Sequence, residues 1–285
     1  MAGRDWRAWH DDYDMPGSSL ARRLEAVQDR IREALDNAPP GPLRAVSMCA
    51  GQGRDLIGVL ASHPRGREVT ARLVELDPHN AATAREAAAA HGLPGVEVVT
   101  ADAALTDAYA GLVPADIVLA CGVFGNITDE DVARTIACCA QLCAAGGTVV
   151  WTRGRWQPDL IPQICRWFAE QGFELLWLSD PGAGFGVGAH RFSAEPRPPV
   201  PGQRMFSFVG YDELRRRAAD GSQPGRLPAG LRRRPGGLSV GLCGSQPGRL
   251  PAGLRRRPGG LSVGLGGGEV EIVQADEWRA AARAG

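Results

Sequence analysis

Lysine is missing from this sequence, and each of its 32 basic residues is arginine. That excludes any mechanism running through a lysine Schiff base or a lysine nucleophile. With the abundance of Ala, Gly and Arg, it reads as the codon bias of a GC-rich, bacterial-type genome. The seven cysteines (Cys49, Cys121, Cys138, Cys139, Cys143, Cys165 and Cys243) include no C-x-x-C pair and no His-rich companion with zinc spacing, so no metal site is expected. Most lie in apolar stretches, as small buried hydrophobes in a reducing compartment do. No apolar run reaches the length of a membrane span, and the first residues lack the apolar core of a signal peptide. The expectation is a soluble cytoplasmic protein with no membrane partner.

What is present is enough for a folded domain, since 44% of the residues are hydrophobic. The formal net charge is zero, but it is unevenly placed: residues 221–265 hold eight arginines and no acid, which leaves the part before them mildly acidic. A main body of that charge lacks the basic footprint of a nucleic-acid binder, and no nucleic-acid partner is expected. Within 221–265 the segment beginning Gly221-Ser-Gln-Pro-Gly recurs unchanged from Gly244. Two copies rich in Gly, Pro and Arg do not make a solenoid, and a disordered tail is expected from 212 to 285.

The first fifteen residues are crowded with Trp6, Trp9, His10 and Tyr13 among aspartates. Ser18 or Ser19 then suits a helix N-cap, and Leu20, Leu24, Val27, Ile31 and Leu35 recur on one helical face. Residues 1–42 thus read as an aromatic segment and a cap helix ended by prolines. From 43 to 211 strands and helices alternate, the mark of a Rossmann-like α/β fold with a doubly wound, mostly parallel sheet. Strands are expected over 44–48, 70–75, 96–100, 115–120, 147–152 and 173–178. Helices are expected over 55–62, 80–91, 129–143 and 158–171, with Thr128 and Asp131 shaped like a capping box. Residues 187–194 and 205–210 read as late strands pairing antiparallel at one edge of the sheet.

The chain is organised around Leu43–Gly58, an apolar strand running into Gly51-Gln-Gly53 and then a helix. Glycine lets the backbone approach a ligand closely, and the helix N-terminus favours an anionic group. Glu75, at the tip of the second strand, stands where an acid accepts both hydroxyls of a ribose. Asp102, at the tip of the third, either accepts an adenine amino group or caps the turn that follows.

These stretches together resemble the class I S-adenosylmethionine-dependent methyltransferases. Ser47–Asp55 is similar to that family's glycine motif, Val74–Pro78 to its acidic strand end, Thr100–Ala103 to its adenine-side motif, and Ala115–Asn126 to its fourth-strand motif. The resemblance implies S-adenosylmethionine as cofactor. Ala50, Gly51 and Gly53 would line its methionine portion, Glu75 would hold the ribose, and Leu76 would pack on the adenine. Asp102 and Ala103 would meet the adenine amino edge, with Cys121 and Val123 beside the methionine arm. Two positions depart from the family. Ser47 stands where an acid is usual, with Asp55 placed to compensate, and Cys49 stands where the first glycine is usual, which calls for a slightly rearranged turn.

The implied activity is methyl transfer to a small-molecule acceptor. Residues placed to meet it are Tyr13, Phe124, Asn126, Arg153 and His190, with Arg155 and Phe185 nearby. His190 reads either as a base or as a strand histidine with an ordinary hydrogen bond. Arg153 and Arg155 read as binding an acidic acceptor or solvating the sheet edge. Tyr13 reads as part of a lid or as padding for the first helix. Two other functions fit the same residues: a non-catalytic regulatory protein that binds the cofactor or adenosine, and a nicotinamide-dependent oxidoreductase. The latter wants G-x-G-x-x-G, and Leu56 stands at the third glycine.

Overall fold

The computed structural model describes Tyr13, Met15 and residues 17–219. Trp6, Trp9, His10, the duplicated segment 221–265 and the stretch 269–282 lie outside the described residues.

Helix α1 (Ser19–Asn37) starts where the Ser18 hydroxyl accepts the Ala21 amide at 2.9 Å. Its apolar face divides in two. Val27, Ile31 and Leu35 are buried, whereas Leu20 and Leu24, nearer its start, line a cavity. The strands are β1 (Leu43–Met48), β2 (Val69–Glu75), β3 (Val96–Thr100), β4 (Ala115–Ala120), β5 (Cys143–Gly154), β6 (Phe173–Leu178) and β7 (Phe185–Phe192). They form one seven-stranded sheet in the order β3-β2-β1-β4-β5-β7-β6. β1 to β5 pair parallel, and β7 runs antiparallel between β5 and β6. Helices α2 (Leu56–Leu60), α3 (Pro78–Ala90), α4 (Asp129–Leu142) and α5 (Ile161–Glu170) lie between strands, and α6 (Tyr211–Ala219) follows them. No helix among the described residues is long and apolar enough to cross a membrane.

The two-residue period of the strands sorts the core into two layers. Val46, Met48, Val118, Ala120, Val149 and Trp151 pack with Val132, Ile136 and Phe168 of α4 and α5. Ala45, Ile117, Leu119 and Val150 pack on the other side with Ile31, Leu56 and Ala84. Both faces are covered, as a parallel sheet requires.

Two expectations are corrected. Residues 205–210 form no strand. The chain makes one isolated antiparallel bridge, Leu105 to Arg204, and then runs as a strap across the carboxyl ends of the strands. Its amides find acceptors on separate loops and a helix: Met205 on the Ala104 carbonyl at 2.8 Å, Ser207 on Asp131 Oδ2 at 2.8 Å and Val209 on the Asn126 carbonyl at 2.8 Å. Acceptors so scattered cannot make a ladder, and the place beside β5 is already held by β7. The capping box is half formed. Thr128 accepts the Asp131 amide, but the Asp131 carboxylate goes to Ser207 on the strap instead of back to the cap. Residues 212–219, where the tail was expected to open, belong to α6, with Asp212 and Glu213 in its first turn and Arg216 and Arg217 in its last, the order its dipole favours.

The turn after β1 holds the one non-glycine residue with positive φ among those described: Cys49 at 49°, followed by Gly51 at 56° and Gly53 at 70°. A cysteine tolerates that conformation at a cost of roughly 1–2 kcal/mol, while a β-branched side chain is a true outlier there. On this basis Cys49→Val will be less stable than Cys49→Ala, despite its larger apolar side chain, in parallel denaturant titrations.

His190 lies in β7, 1% exposed, stacked on Phe168 with ring centres 4.2 Å apart. Its Nδ1 accepts the Trp151 indole N–H at 3.1 Å. The proton of the neutral ring therefore sits on Nε2, which is buried without a partner. Burial pushes its pKa from 6.5 down to about 3. The unfolded chain takes up this proton as pH falls below about 6.5 and the folded one does not, so stability drops between about pH 6.5 and about pH 3. Over that interval the wild type will lose stability relative to His190→Phe in thermal melts, and above it the difference between the two will be flat.

Candidate functional site

The carboxyl ends of β1 to β5 surround a cavity of about 750 Å³, on the side of a parallel sheet where ligands bind. The turn after β1 contributes Cys49, Ala50, Gly51, Gln52, Arg54 and Asp55 to its wall. Gly51 donates its amide to Glu75 Oε2 at 2.7 Å, and Asp77 donates its amide to Glu75 Oε1 at 2.8 Å. The carboxylate, 9% exposed, is thus braced on both sides, and each oxygen keeps acceptor capacity. Beside it Leu76 is 68% exposed, an apolar side chain on the cavity wall. Gly53 is not in that wall. It lets the turn close, since a Cβ there would stand 2.6 Å from Ile57 Cδ1.

Asp55 caps α2 by accepting the Leu56 amide at 2.7 Å. Burial pushes its carboxyl pKa up, opposed by the Leu56 amide, the charge of Arg23 and the Cys121 thiol. Ser47 is buried in β1, so Asp55 is the carboxyl this turn offers to the cavity. Burial also pushes the Cys49 thiol up to about 12, with the charges of Glu75 and Asp102 adding to it. Both thiols, Cys49 and Cys121, are held protonated.

Asp102 caps the turn after it, accepting the Ala104 amide on Oδ1 at 2.9 Å, and pairs with Arg204 of the strap through Oδ2 at 2.8 Å. Ala103 shares this part of the wall. Val123 is buried in the core and absent from the wall.

The residues read as acceptor contacts separate clearly. Tyr13 lines the cavity and accepts a hydrogen bond from Arg23 at 2.9 Å; burial raises its pKa against the pull of that arginine. Asn126 and Arg153 line it as well. Phe124 does not: it is buried in an aromatic cluster with Trp151 and Phe168. His190 is outside it too, in the same cluster, which leaves it the strand histidine with an ordinary hydrogen bond. Arg155 is structural, bonding the carbonyls of Phe185 and Ser179 and pairing with Asp159 at 2.7 Å. Phe185 belongs to the second core layer.

Sequence reasoning missed Arg23, Trp156, Arg204, Phe208 and Tyr211, all in the wall. Trp156 had a signal: a tryptophan directly after Arg153, Gly154 and Arg155, where β5 ends. Phe208 was hidden in a segment read as strand, and Arg204 immediately precedes that segment.

The family model described as "Putative methyltransferase" matches residues 19–172. Among solved structures, the chain is similar to an O-methyltransferase family protein from Burkholderia thailandensis, with 18% identity and a TM-score of 0.52 over 67% of this chain and 61% of that one. It is also similar to the CurJ carbon methyltransferase, with 16% identity and a TM-score of 0.54 over 67% of this chain and 59% of that one. The chain spans about three-fifths of the length of these two structures, and the likeness is one of fold. No curated protein matches it. Because the matched segment is more than half of the chain and includes the glycine turn, Glu75, Asp102 and Arg153, the protein belongs to this methyltransferase family.

Proposed function

We propose that the cavity binds S-adenosylmethionine and directs its methyl group to a small-molecule acceptor. The observation that carries this reading is the Glu75 carboxylate joined to the Gly51 amide. It sets a ribose-binding acid and a close-approach glycine turn in one wall, next to an exposed leucine suited to an adenine face. The donor set fits the cofactor. Glu75 would hold the ribose hydroxyls, Leu76 and Ala103 would flank the adenine, and Ala50 and Gly51 would line the methionine portion. Asp55, in place of the acid missing at Ser47, would face the methionine ammonium, which favours the ionised carboxylate that burial disfavours. Asp102 is engaged by Ala104 and Arg204, so it would reach an adenine amino group only by sharing Oδ2.

When bound, S-adenosylmethionine supplies an electrophilic methyl group: an acceptor lone pair forms the new bond as the carbon–sulfur bond breaks and its electron pair stays on sulfur. The protein's part is placement in line and exclusion of water. No histidine is among the described wall residues. The wall's acid–base groups include Tyr13 and the carboxyls of Asp55, Glu75, Asp77 and Asp102, and a general base is needed only where the acceptor arrives protonated. The sheet order, with β7 antiparallel beside β5, differs from the all-parallel dinucleotide fold, and buried Leu56 replaces the third glycine of the dinucleotide turn.

Calorimetric titration of the full chain tests the reading. S-adenosylmethionine and S-adenosylhomocysteine are expected to bind and NAD is not. Glu75→Gln should weaken both by about tenfold or more, ~1.4 kcal/mol. Because Glu75 also braces the turn, Leu76→Asp serves as a second variant on an exposed residue and should weaken both as well. NAD binding alone would overturn the assignment, and cofactor binding without methyl transfer across a broad acceptor panel would favour a regulatory protein.

A further inference from the structure

Arg153, at the end of β5, is a charged side chain 7% exposed in the wall of the cavity. A guanidinium carries five N–H donors and keeps its charge in any ordinary environment. Its partners are the Phe124 carbonyl and the Asp129 carboxylate, the latter 3.6 Å away, beyond hydrogen-bond length. Asp129 itself is half exposed to water, so it neutralises Arg153 incompletely. Burial pushes the Arg153 pKa down in spite of Asp129 and Asp159. A buried charge with one loose counter-ion is destabilising until a second anion completes it.

Flat apolar groups surround the same point. The Trp156 ring centre is 4.8 Å from the Arg153 guanidinium. The backbone is cleared for that ring: a Cβ on Gly154 would collide with it, and one on Gly125 would stand 3.3 Å from its edge. Tyr211 meets the indole edge-on at 4.8 Å. Phe208, half exposed, is part of the same wall.

This end of the cavity is separate from the end assigned to adenosine. β5 stands three strands from β2 in the sheet, ~14 Å at ordinary strand spacing. Arg204, another arginine of the wall, is paired with Asp102.

Resting on the methyl-transfer reading of the same cavity, we propose that Arg153 and Trp156 form the acceptor subsite and that the acceptor is a small aromatic carboxylic acid. Its carboxylate pairs with Arg153 and its ring lies against Trp156 and Tyr211. The loose Asp129 pair holds the guanidinium until the acid arrives.

Titration calorimetry with matched acids and amides tests this: benzoate and benzamide, 3-phenylpropionate and 3-phenylpropionamide, indole-3-acetate and indole-3-acetamide, each with and without saturating S-adenosylhomocysteine. In at least one pair the acid is expected to bind ~10-fold or more tightly than its amide, and Arg153→Gln is expected to bring the ratio near one. Asp129→Asn, a change at a half-exposed position, should tighten acid binding ~3-fold by removing the competing carboxylate. A merely structural arginine would produce neither result. Equal binding of acid and amide in every pair, a preference that survives Arg153→Gln, or acid binding unchanged or weakened by Asp129→Asn would overturn the proposal. S-adenosylhomocysteine binding with no acid preference would overturn this inference alone. Failure of S-adenosylhomocysteine to bind would instead overturn the cofactor reading, with the acid preference still read from the titrations without it.

Discussion

The hydrogen bond from the Gly51 amide to the Glu75 carboxylate ties together two parts of the chain 24 residues apart. The turn after β1 has positive φ at Cys49, Gly51 and Gly53, so beyond the bond from the Ala50 amide to the Val74 carbonyl regular pairing does not hold it. A charge-assisted bond at 2.7 Å does. The same carboxylate fixes the Asp77 amide, and Asp77 in turn caps α3 by accepting the amides of His79 and Asn80. Burying a carboxylate is unfavourable unless it is hydrogen-bonded, and these two amides meet that demand. The acid that would recognise a ribose is therefore ordered before any ligand arrives, which lowers the entropy lost on binding.

Cys49 and Ser47 show how the turn bears its departures from the family pattern. At Cys49, where the resemblance calls for a slightly rearranged turn, the residue takes the left-handed conformation, φ 49°. The cost of that conformation is carried locally. Ser47, buried in β1, brings no charge to the site. The carboxyl moves to Asp55, at the start of α2, where the residue also satisfies a helix amide.

Legibility in the sequence followed the range of the interactions concerned. β3, β4 and β6 were read to the residue and β1, β2 and β7 within two residues, because alternation and turn residues are local signals. Glu75 was legible because its position follows from strand length and sheet order. The strap from 200 to 210 was not. Met205, Phe206 and Phe208 have the look of a strand, and only the distant positions of Ala104, Asn126 and Asp131 give its amides somewhere else to go. Trp156 was missed for a related reason: its place depends on Gly125, Gly154 and Tyr211, which no local pattern links. His190 read ambiguously because a histidine in a strand has the same sequence signal whether it faces a cavity or, as here, Phe168 and Trp151.

The strap also decides which residues remain available to an acceptor. Its one ion pair to the site, Arg204 with Asp102, has both side chains more than a third exposed and is worth about 0–1 kcal/mol. The stronger hold comes from buried Met205 and Phe206 and from Asn126. The Asn126 carbonyl accepts the amides of Val209 and Gly210, its Oδ1 accepts the Tyr211 amide at 3.1 Å, and its Nδ2 donates to the Gly122 carbonyl at 2.7 Å. Asn126 lines the cavity, and each of its side-chain polar atoms gives one hydrogen bond to keeping the strap and α6 in place. In the proposed acceptor subsite, recognition of the carboxylate rests on Arg153, whose five donors exceed its two partners. The strap that engages Asn126 also leads into Tyr211, which packs against Trp156, so the same segment closes the cavity and completes its aromatic wall.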